Sequence, residues 1–502
     1  MTDVGPGSAA ARANNRSSTT AWVLLALLAS CTGLALCAAP AAAAPAPLQT
    51  GVSYVLPNEE PAVALEHVKQ AGAQLAQAPV RWSIVAPGDR PTAWEPENPA
   101  DRNYDWEETD RWVQAAVAAG VTPVLQIRSA PAWAQRCPPE KIDTGAPCNP
   151  DPADLAAFAT AAARRYSGQF GGLPRVKYWQ GLNEPNLVLF FQPQYNGKKP
   201  VSPGLYRDLI NAFYAAIKGV DPSNLVIAAG LGPIAVPGYT VGPERFARLL
   251  LCMTGGKHPR PTKGDCGGGV NFDIFDMHPY TSGGPTHEGG PTEVQIGSLR
   301  RLTRLLAAAD RAGRINGAFR HTPLWITEFS WDSKPPDPGG LPMRILTRWA
   351  AEAMHEAWSA GVHTFFWFSL RDSPTGNAPF GETLQSGLYF RGPTVAQDRP
   401  KKVLGVFRFP FVAYPGTKGL KFWGRTPSSG PGRVVIQALT KGRWHEVAAA
   451  QANAVGIFRG RAATRYGLDK RGKVRAQFAK RSSVPFGMRN IPDFPQPPFG
   501  GE

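Results

Sequence analysis

The sequence predicts an α/β chain whose eight βα units close into a (β/α)8 barrel, with a small antiparallel β-sandwich behind it. Three observations carry this expectation. Short apolar runs alternate with amphipathic helical stretches from residue 51 to about residue 414. There are eight such runs over that length, the number a TIM barrel needs. After about residue 418 the texture changes to short alternating strands separated by Gly, Ser and Lys/Arg turns. A doubly wound open sheet would also alternate, but no glycine-rich phosphate loop follows the first run.

Residues 1–48 come first and read as an export signal with a linker. Arg12 and Arg16 precede an apolar run over 21–39, and small residues over 38–46 offer cleavage sites. Two other readings stay open. The uncleaved run approaches the roughly 20 residues that span a bilayer. Leu28-Ala29-Ser30-Cys31 also resembles a lipobox, with lipid attached at Cys31. No other stretch is long and apolar enough to cross a membrane. The expected location is extracellular, either secreted or held at the cell surface.

Residues 49–416 form the expected barrel. Strand candidates are 51–56, 79–85, 122–127, 176–182, 225–229, 272–277, 324–327 and 364–368, all rich in Val, Ile, Phe or Trp. Helical spacing of apolar residues appears over 62–72, 107–119, 154–166, 205–220, 292–312 and 343–360. Asp151 and Ser202 are placed to cap two of these helices, and Gly72, Gly120 and Gly361 to stop three. The 53 Gly and 50 Pro predict many turns and long loops. The 14 Trp are divided between core packing and lining a sugar-binding groove.

Residues 417–490 make up the small β-sandwich, and the Pro-rich segment 491–502 is expected to be disordered. Trp423 and Trp444 could bind glycans or fill the core of the sandwich, and filling the core is the favoured reading. Charge sets this end apart. From Lys418 onward there are 16 Lys+Arg against 4 Asp+Glu, so +12 of the +16 net charge lies there. An exported basic segment suits an anionic cell-surface polymer or membrane, or simply keeps the chain soluble. No nucleic-acid partner is expected. Outside the signal region, Cys137/Cys148 and Cys252/Cys266 form two close pairs in Gly/Pro-rich stretches. In an oxidising compartment they predict two local disulfides; zinc-like C-x2-C spacing is absent.

Chemistry is sought where strands end, because barrel enzymes carry their reactive groups on the C-terminal rim. The fourth run, VKYWQGLNEPN, ends at Leu182 and is followed by Asn183-Glu184-Pro185; Pro185 cannot continue a ladder, so Glu184 stands at the rim. The seventh, PLWITEFSW, places Glu328 at the corresponding point. Two carboxyl groups facing each other are what glycosidic bond cleavage requires. Two nearby carboxylates repel, so one of them should hold a proton.

The motifs WQGLNEPN and ITEFSW, in this order and at these strand ends, resemble clan A of the glycoside hydrolases. Family 5 (cellulase-like) and family 39 (xylosidase/iduronidase-like) are the nearest in pattern, over residues 50–415. The resemblance implies Glu184 as general acid/base, Glu328 as nucleophile and Asn183 as the ligand of the sugar 2-hydroxyl. It implies a cation near the nucleophile, for which Arg81 is the candidate. His278 and Tyr280, after the sixth run in FDMHPYTSG, would orient Glu328. Trp367 in TFFWFSLRD would lie under the sugar ring, and Trp133 and Trp331 would line outer subsites. One departure stands out: Arg128 ends the third run where many family 5 enzymes have histidine. The implied function is a retaining hydrolase of β-linked glycosides that needs no metal or organic cofactor. A catalytically silent carbohydrate-binding barrel and a transglycosylase using the same residues are the alternatives. The sugar, the linkage and exo or endo action are not legible.

Overall fold

The structure is a computed structural model. It describes residues 47–143, 145–263, 269–376, 378–380, 383–416, 419–463 and 472–498. The export-signal reading and Cys266 of the second expected disulfide lie outside the described residues. The first disulfide, Cys137–Cys148, is formed.

Eight parallel strands close into a barrel. They are β1 (Gln49–Ser53), β2 (Leu75–Arg81), β3 (Thr122–Arg128), β4 (Tyr178–Gly181), β5 (Leu225–Leu231), β6 (Ile274–Met277), β7 (Leu324–Ile326) and β8 (Val362–Phe368). Each neighbours the next, and β8 pairs with β1 to close the ring. One main helix follows each strand: α1 (Pro61–Gln70), α2 (Glu107–Ala118), α3 (Pro152–Arg165), α4 (Ser202–Val220), α5 (Pro243–Leu250), α6 (Leu299–Arg311), α7 (Met343–Ser359) and α8 (Lys402–Arg408). Asp151 caps α3, its carboxylate accepting from the N–H groups of Ala153 and Asp154.

Strand side chains alternate between the barrel interior and the helical jacket. The inner positions make two layers. Leu75, Val124, Leu225, Ile227, Ile274, Trp325 and Phe366 fill the lower part as a closed apolar cluster, with Tyr178 packed against it. Each buried side chain of this kind contributes roughly 1.5–3 kcal/mol. Two residues further along the strands the chemistry changes to Gln77, Gln126, Gln180, Asp276 and Thr327, all buried. The core of the jacket is a separate and larger apolar cluster.

Four local expectations are corrected. The second strand spans Leu75–Arg81 rather than 79–85, and Trp82–Val85 forms a helical turn. Gln77 disguised it: an inward glutamine breaks the apolar pattern, but its amide donates to Gln180 at 2.5 Å inside the barrel. The helix expected over 292–312 begins at Leu299, because Gln295 is used elsewhere; its side-chain oxygen accepts from Ser282 N–H. Ser202 lies inside the first turn of α4 and donates to Gln194 instead of capping. The Pro-rich tail is laid against the barrel as far as Pro498: Phe494 packs on Trp349 with ring centroids 4.7 Å apart, and Gln496 N–H donates to Ser282.

Beyond α8 the chain forms two antiparallel sheets. One contains β9 (Phe411–Gly416), β10 (Gly419–Arg425) and β13 (Ile457–Ala462). The other contains β11 (Gly432–Thr440), β12 (Arg443–Ala452) and β14 (Lys473–Phe478), extended by two short strands. Trp423 is buried and packs against Trp358 of α7, so part of this core is shared with the barrel. Trp444 is half-buried beneath Arg475.

Candidate active site

The rim is built from the strand ends inward. β4 ends at Gly181, and the next residues turn sharply: Leu182 has φ +65° and Glu184 has φ +40°. Non-glycine residues rarely adopt such values, and here they are held in place. Glu184 N–H donates to Gly230 at 3.1 Å, and Asn186 clasps Gly232 through both its N–H and its carbonyl. Glu328 follows Thr327 at the end of β7, and Thr327 N–H donates to Asp276 at 2.9 Å. Both glutamates are largely buried.

These turns bring the two carboxyl groups together. One oxygen of Glu184, one oxygen of Glu328 and a ring nitrogen of His278 all lie within 4.8 Å of one another. His278 is fully buried between them. Its Nδ1 is 3.0 Å from Glu184 and 3.7 Å from Glu328; its Nε2 is 3.0 Å from Thr327 Oγ1 and 3.3 Å from Asp276. Burial alone would hold the imidazole neutral. The charges of Glu328 and Asp276 and the bonds to Asp276 and Glu184 win, and the pKa is raised well above its ordinary value. An imidazolium also gives each ring nitrogen a proton to donate.

Burial pushes the Glu328 carboxyl up to about 7; His278 opposes this, the charge of Glu184 adds to it and Arg128 opposes it. Tyr280 donates its hydroxyl to Glu328 at 3.2 Å. The charge of Glu184 is among the causes that raise Glu328, so ionising both glutamates at once is disfavoured. Charge balance points the same way. With His278 and Arg128 positive and Asp276 negative, the cluster is neutral when the two glutamates share one proton.

A polar layer beneath the rim holds these groups in place. Gln180 donates to Asp276 at 2.8 Å, and Thr327 Oγ1 donates to the same carboxylate. Gln126 donates to Asn183 Oδ1 at 3.0 Å. Gly230, with φ +56°, leaves room for this layer; a Cβ there would lie 2.8 Å from Gln180 Nε2 and 2.9 Å from Asp276 Oδ2. The set Glu184, His278 and Glu328 could also ligate a divalent cation, although His278 Nδ1 is already engaged by Glu184.

The structure thus gathers Asn183, Glu184, His278, Tyr280 and Glu328 and leaves the other sequence candidates outside. Arg81 is exposed at the end of β2; the cation whose field reaches Glu328 is Arg128, its register partner on β3. Trp367 is fully buried, with its indole donating to Ser386. It alternates with Phe366 and Phe368, so when these face the barrel axis Trp367 faces the jacket. Trp331 is fully buried and donates to Gly283. Trp133 donates to Pro87 in a cluster with Trp94 and Arg90. The aromatic wall of the mouth is instead Phe368, against which Tyr54 lies at 5.4 Å and Tyr280 edge-on at 6.4 Å. A cleft of about 510 Å³ opens beside it, lined by Tyr54, Arg81, Arg128 and Ser129. Sequence reasoning missed Gln77, Gln126, Gln180, Asp276 and Thr327. Their signal was a polar residue at an inward strand position two places before the rim.

The C-terminal tail reaches the same rim. Asp493 accepts from Gly284 N–H at 2.5 Å and pairs with His287 at 2.9 Å. Asp332 N–H donates to Pro498 at 2.8 Å. These contacts join the loop that follows Tyr280 to the loop that follows Glu328.

No family model matches the chain, and no curated protein matches it. Its coordinates are similar to those of several solved structures. A family 39 glycoside hydrolase from Bacteroides cellulosilyticus is 16% identical with a TM-score of 0.49, covering 83% of this chain and 79% of that one. A glucosidase from Croceicoccus marinus is 14% identical with a TM-score of 0.45, covering 84% and 94%. A family 30 endoxylanase from Clostridium papyrosolvens is 12% identical with a TM-score of 0.45, covering 83% and 97%. Likeness at these levels decides nothing about activity, and the functional reading rests on the residues of the rim.

Proposed function

We propose that this chain is a retaining glycoside hydrolase of β-linked substrates, with Glu184 as general acid/base and Glu328 as nucleophile. One observation supports this above the others: two carboxyl groups that follow β4 and β7 on one rim of the barrel approach to within 4.8 Å. Retaining enzymes hold their carboxyls about 5–5.5 Å apart, whereas inverting ones need roughly 6.5–9.5 Å to admit a water.

In the first step Glu328 attacks the anomeric carbon while Glu184 gives its proton to the departing oxygen. In the second, Glu184 takes a proton from a water that displaces Glu328 from the glycosyl ester. Tyr280 steadies the attacking carboxylate, and His278 and Arg128 offset its charge. Asn183, which accepts a hydrogen bond from Gln126, would bind the sugar 2-hydroxyl. The export signal read in the sequence would put this activity outside the cell.

The test uses aryl β-glycosides with Glu328→Ala and Glu184→Ala. Each variant should lose about 10⁴-fold or more in kcat. Added azide should restore turnover in both, giving the inverted azide sugar from Glu328→Ala and the retained one from Glu184→Ala. Wild-type turnover by Glu328→Ala would reject the nucleophile. Product analysis with and without acceptor sugars separates hydrolysis from transglycosylation, and an inert wild type would point to a silent binding barrel. Activity lost to a chelator and regained with a divalent cation would favour a metal-assisted reaction.

A further inference from the structure

The sheet β9-β10-β13 carries an unusual face. Its register sets Tyr414 opposite Lys421 and Lys421 opposite Arg461. The neighbouring row sets Val412 opposite Trp423 and Trp423 opposite Arg459. Residues directly opposite each other project to the same side of a sheet. Lys421, Arg459 and Arg461 therefore stand on one face, with Tyr414 and Trp423 among them.

That face and Trp358 of α7 line an open cavity of about 570 Å³. No acidic side chain lines it among the described residues. None of the three cations has an ion pair there among the described residues either; Arg459 only lies over the Trp358 ring at 5.9 Å. His355, also in the wall, is held neutral: burial and Arg300 push it down to about 4. A second observation is independent of charge. Trp423 is buried, and its indole N–H has no hydrogen-bond partner. A buried donor left unsatisfied is unfavourable, so an acceptor that reaches it from the cavity would be favoured.

We propose that this cavity is a second glycan-binding site, apart from the barrel mouth, that takes an acidic polysaccharide bearing carboxylate or sulfate groups. The three cations meet the acidic groups, and Trp423 donates to a hydroxyl or ring oxygen. A single-stranded nucleic acid is disfavoured because it needs open ring faces for its bases. Here Trp423 is buried, and the Trp358 ring already meets Trp423 at 5.4 Å and Arg459 at 5.9 Å. The choice of a glycan rests on the glycosidase reading of the barrel; the cation tray and the orphan donor do not.

Affinity electrophoresis of the full-length chain tests this, with gels containing polygalacturonate, chondroitin sulfate, methyl-esterified polygalacturonate or poly(dT). One of the two acidic glycans should retard the chain, which tells carboxylate from sulfate, and the methyl ester should not. Lys421→Glu/Arg459→Glu/Arg461→Glu should weaken that binding by about tenfold or more and increase KM for the polymer, with aryl-glycoside turnover unchanged. Trp423→Phe, which keeps the ring and removes the N–H, should weaken it about 2- to 10-fold. Equal binding by the triple variant, equal retardation by the methyl ester, no retardation by either acidic glycan, or tighter binding to poly(dT) would each overturn the proposal. Retardation without any aryl-glycoside turnover would sink the barrel reading and leave this site standing.

Discussion

The two layers inside the barrel are built on the same strands and differ by two residues in register. The lower layer, with Trp325 and Phe366 among its members, is apolar and closed. The upper layer, from Gln77 to Thr327, is polar, and its amides, hydroxyl and carboxylate meet partners on other strands, with Gln77 reaching Gln180 across β3 and Gln180 reaching Asp276 across β5. Dispersion and water exclusion do not depend on direction, so the lower layer contributes stability without aiming anything. Hydrogen bonds are directional, so the upper layer spends little on stability and fixes where Asn183, His278 and Glu328 point.

Trp325→Ala should break the lower layer and produce the largest change, a loss of about 3–5 kcal/mol seen in denaturant melts. Activity per folded molecule should stay near that of the wild type. Asp276→Asn keeps the shape of the upper layer and removes the charge that helps hold His278 protonated. It should reduce kcat/KM about 10- to 100-fold, the usual scale for a partner that orients a reactive group, with a much smaller change in melting temperature. If Asp276→Asn proved the more destabilising and Trp325→Ala the more inactivating, the division of labour between layers would be wrong.

pH sharpens the comparison, since the rim that the upper layer holds in place carries the Glu328 carboxyl. The Glu328 carboxyl is raised from 4.5 to about 7, so it keeps a proton below about pH 7 and loses it above. On the proposed mechanism a doubly ionised pair of glutamates has no general acid, so kcat/KM should fall on the alkaline side with an apparent pKa of about 7. Stability follows the same sign. A carboxyl with a raised folded-state pKa carries no penalty below 4.5, and folding stability declines as pH rises from there through about 7. Glu328→Gln cannot ionise, so its melting temperature should exceed that of the wild type above pH 7, with the gap closing toward pH 4.5.

The smallest effect is expected at the outer edge of the rim. Asp493→Ala releases the tail from Gly284 and His287 without touching either layer. It should lower kcat about 2- to 10-fold, the worth of one or two hydrogen bonds, and leave the denaturant midpoint almost unchanged. An unchanged kcat in this variant would mean that the tail covers the rim without steadying it.

Much of this architecture was readable in the order of residues. Eight apolar runs between amphipathic stretches fix a barrel, and Asn183-Glu184 and Glu328 stand at strand ends because Pro185 and the loss of apolar pattern stop the ladders there. Local chemistry suffices for such features, since period, capping and chain-breaking residues act within a few positions. Other features were decided only by closure of the ring. Whether Trp367 faces the sugar or the jacket turns on strand parity, and parity is set by pairing with β1 and β7. Arg128 rather than Arg81 reaches Glu328, although the two are register partners on adjacent strands. Which charges act on the Glu328 carboxyl was likewise decided in three dimensions, because its burial and the approach of His278 exist only once residues far apart along the chain are folded onto one rim.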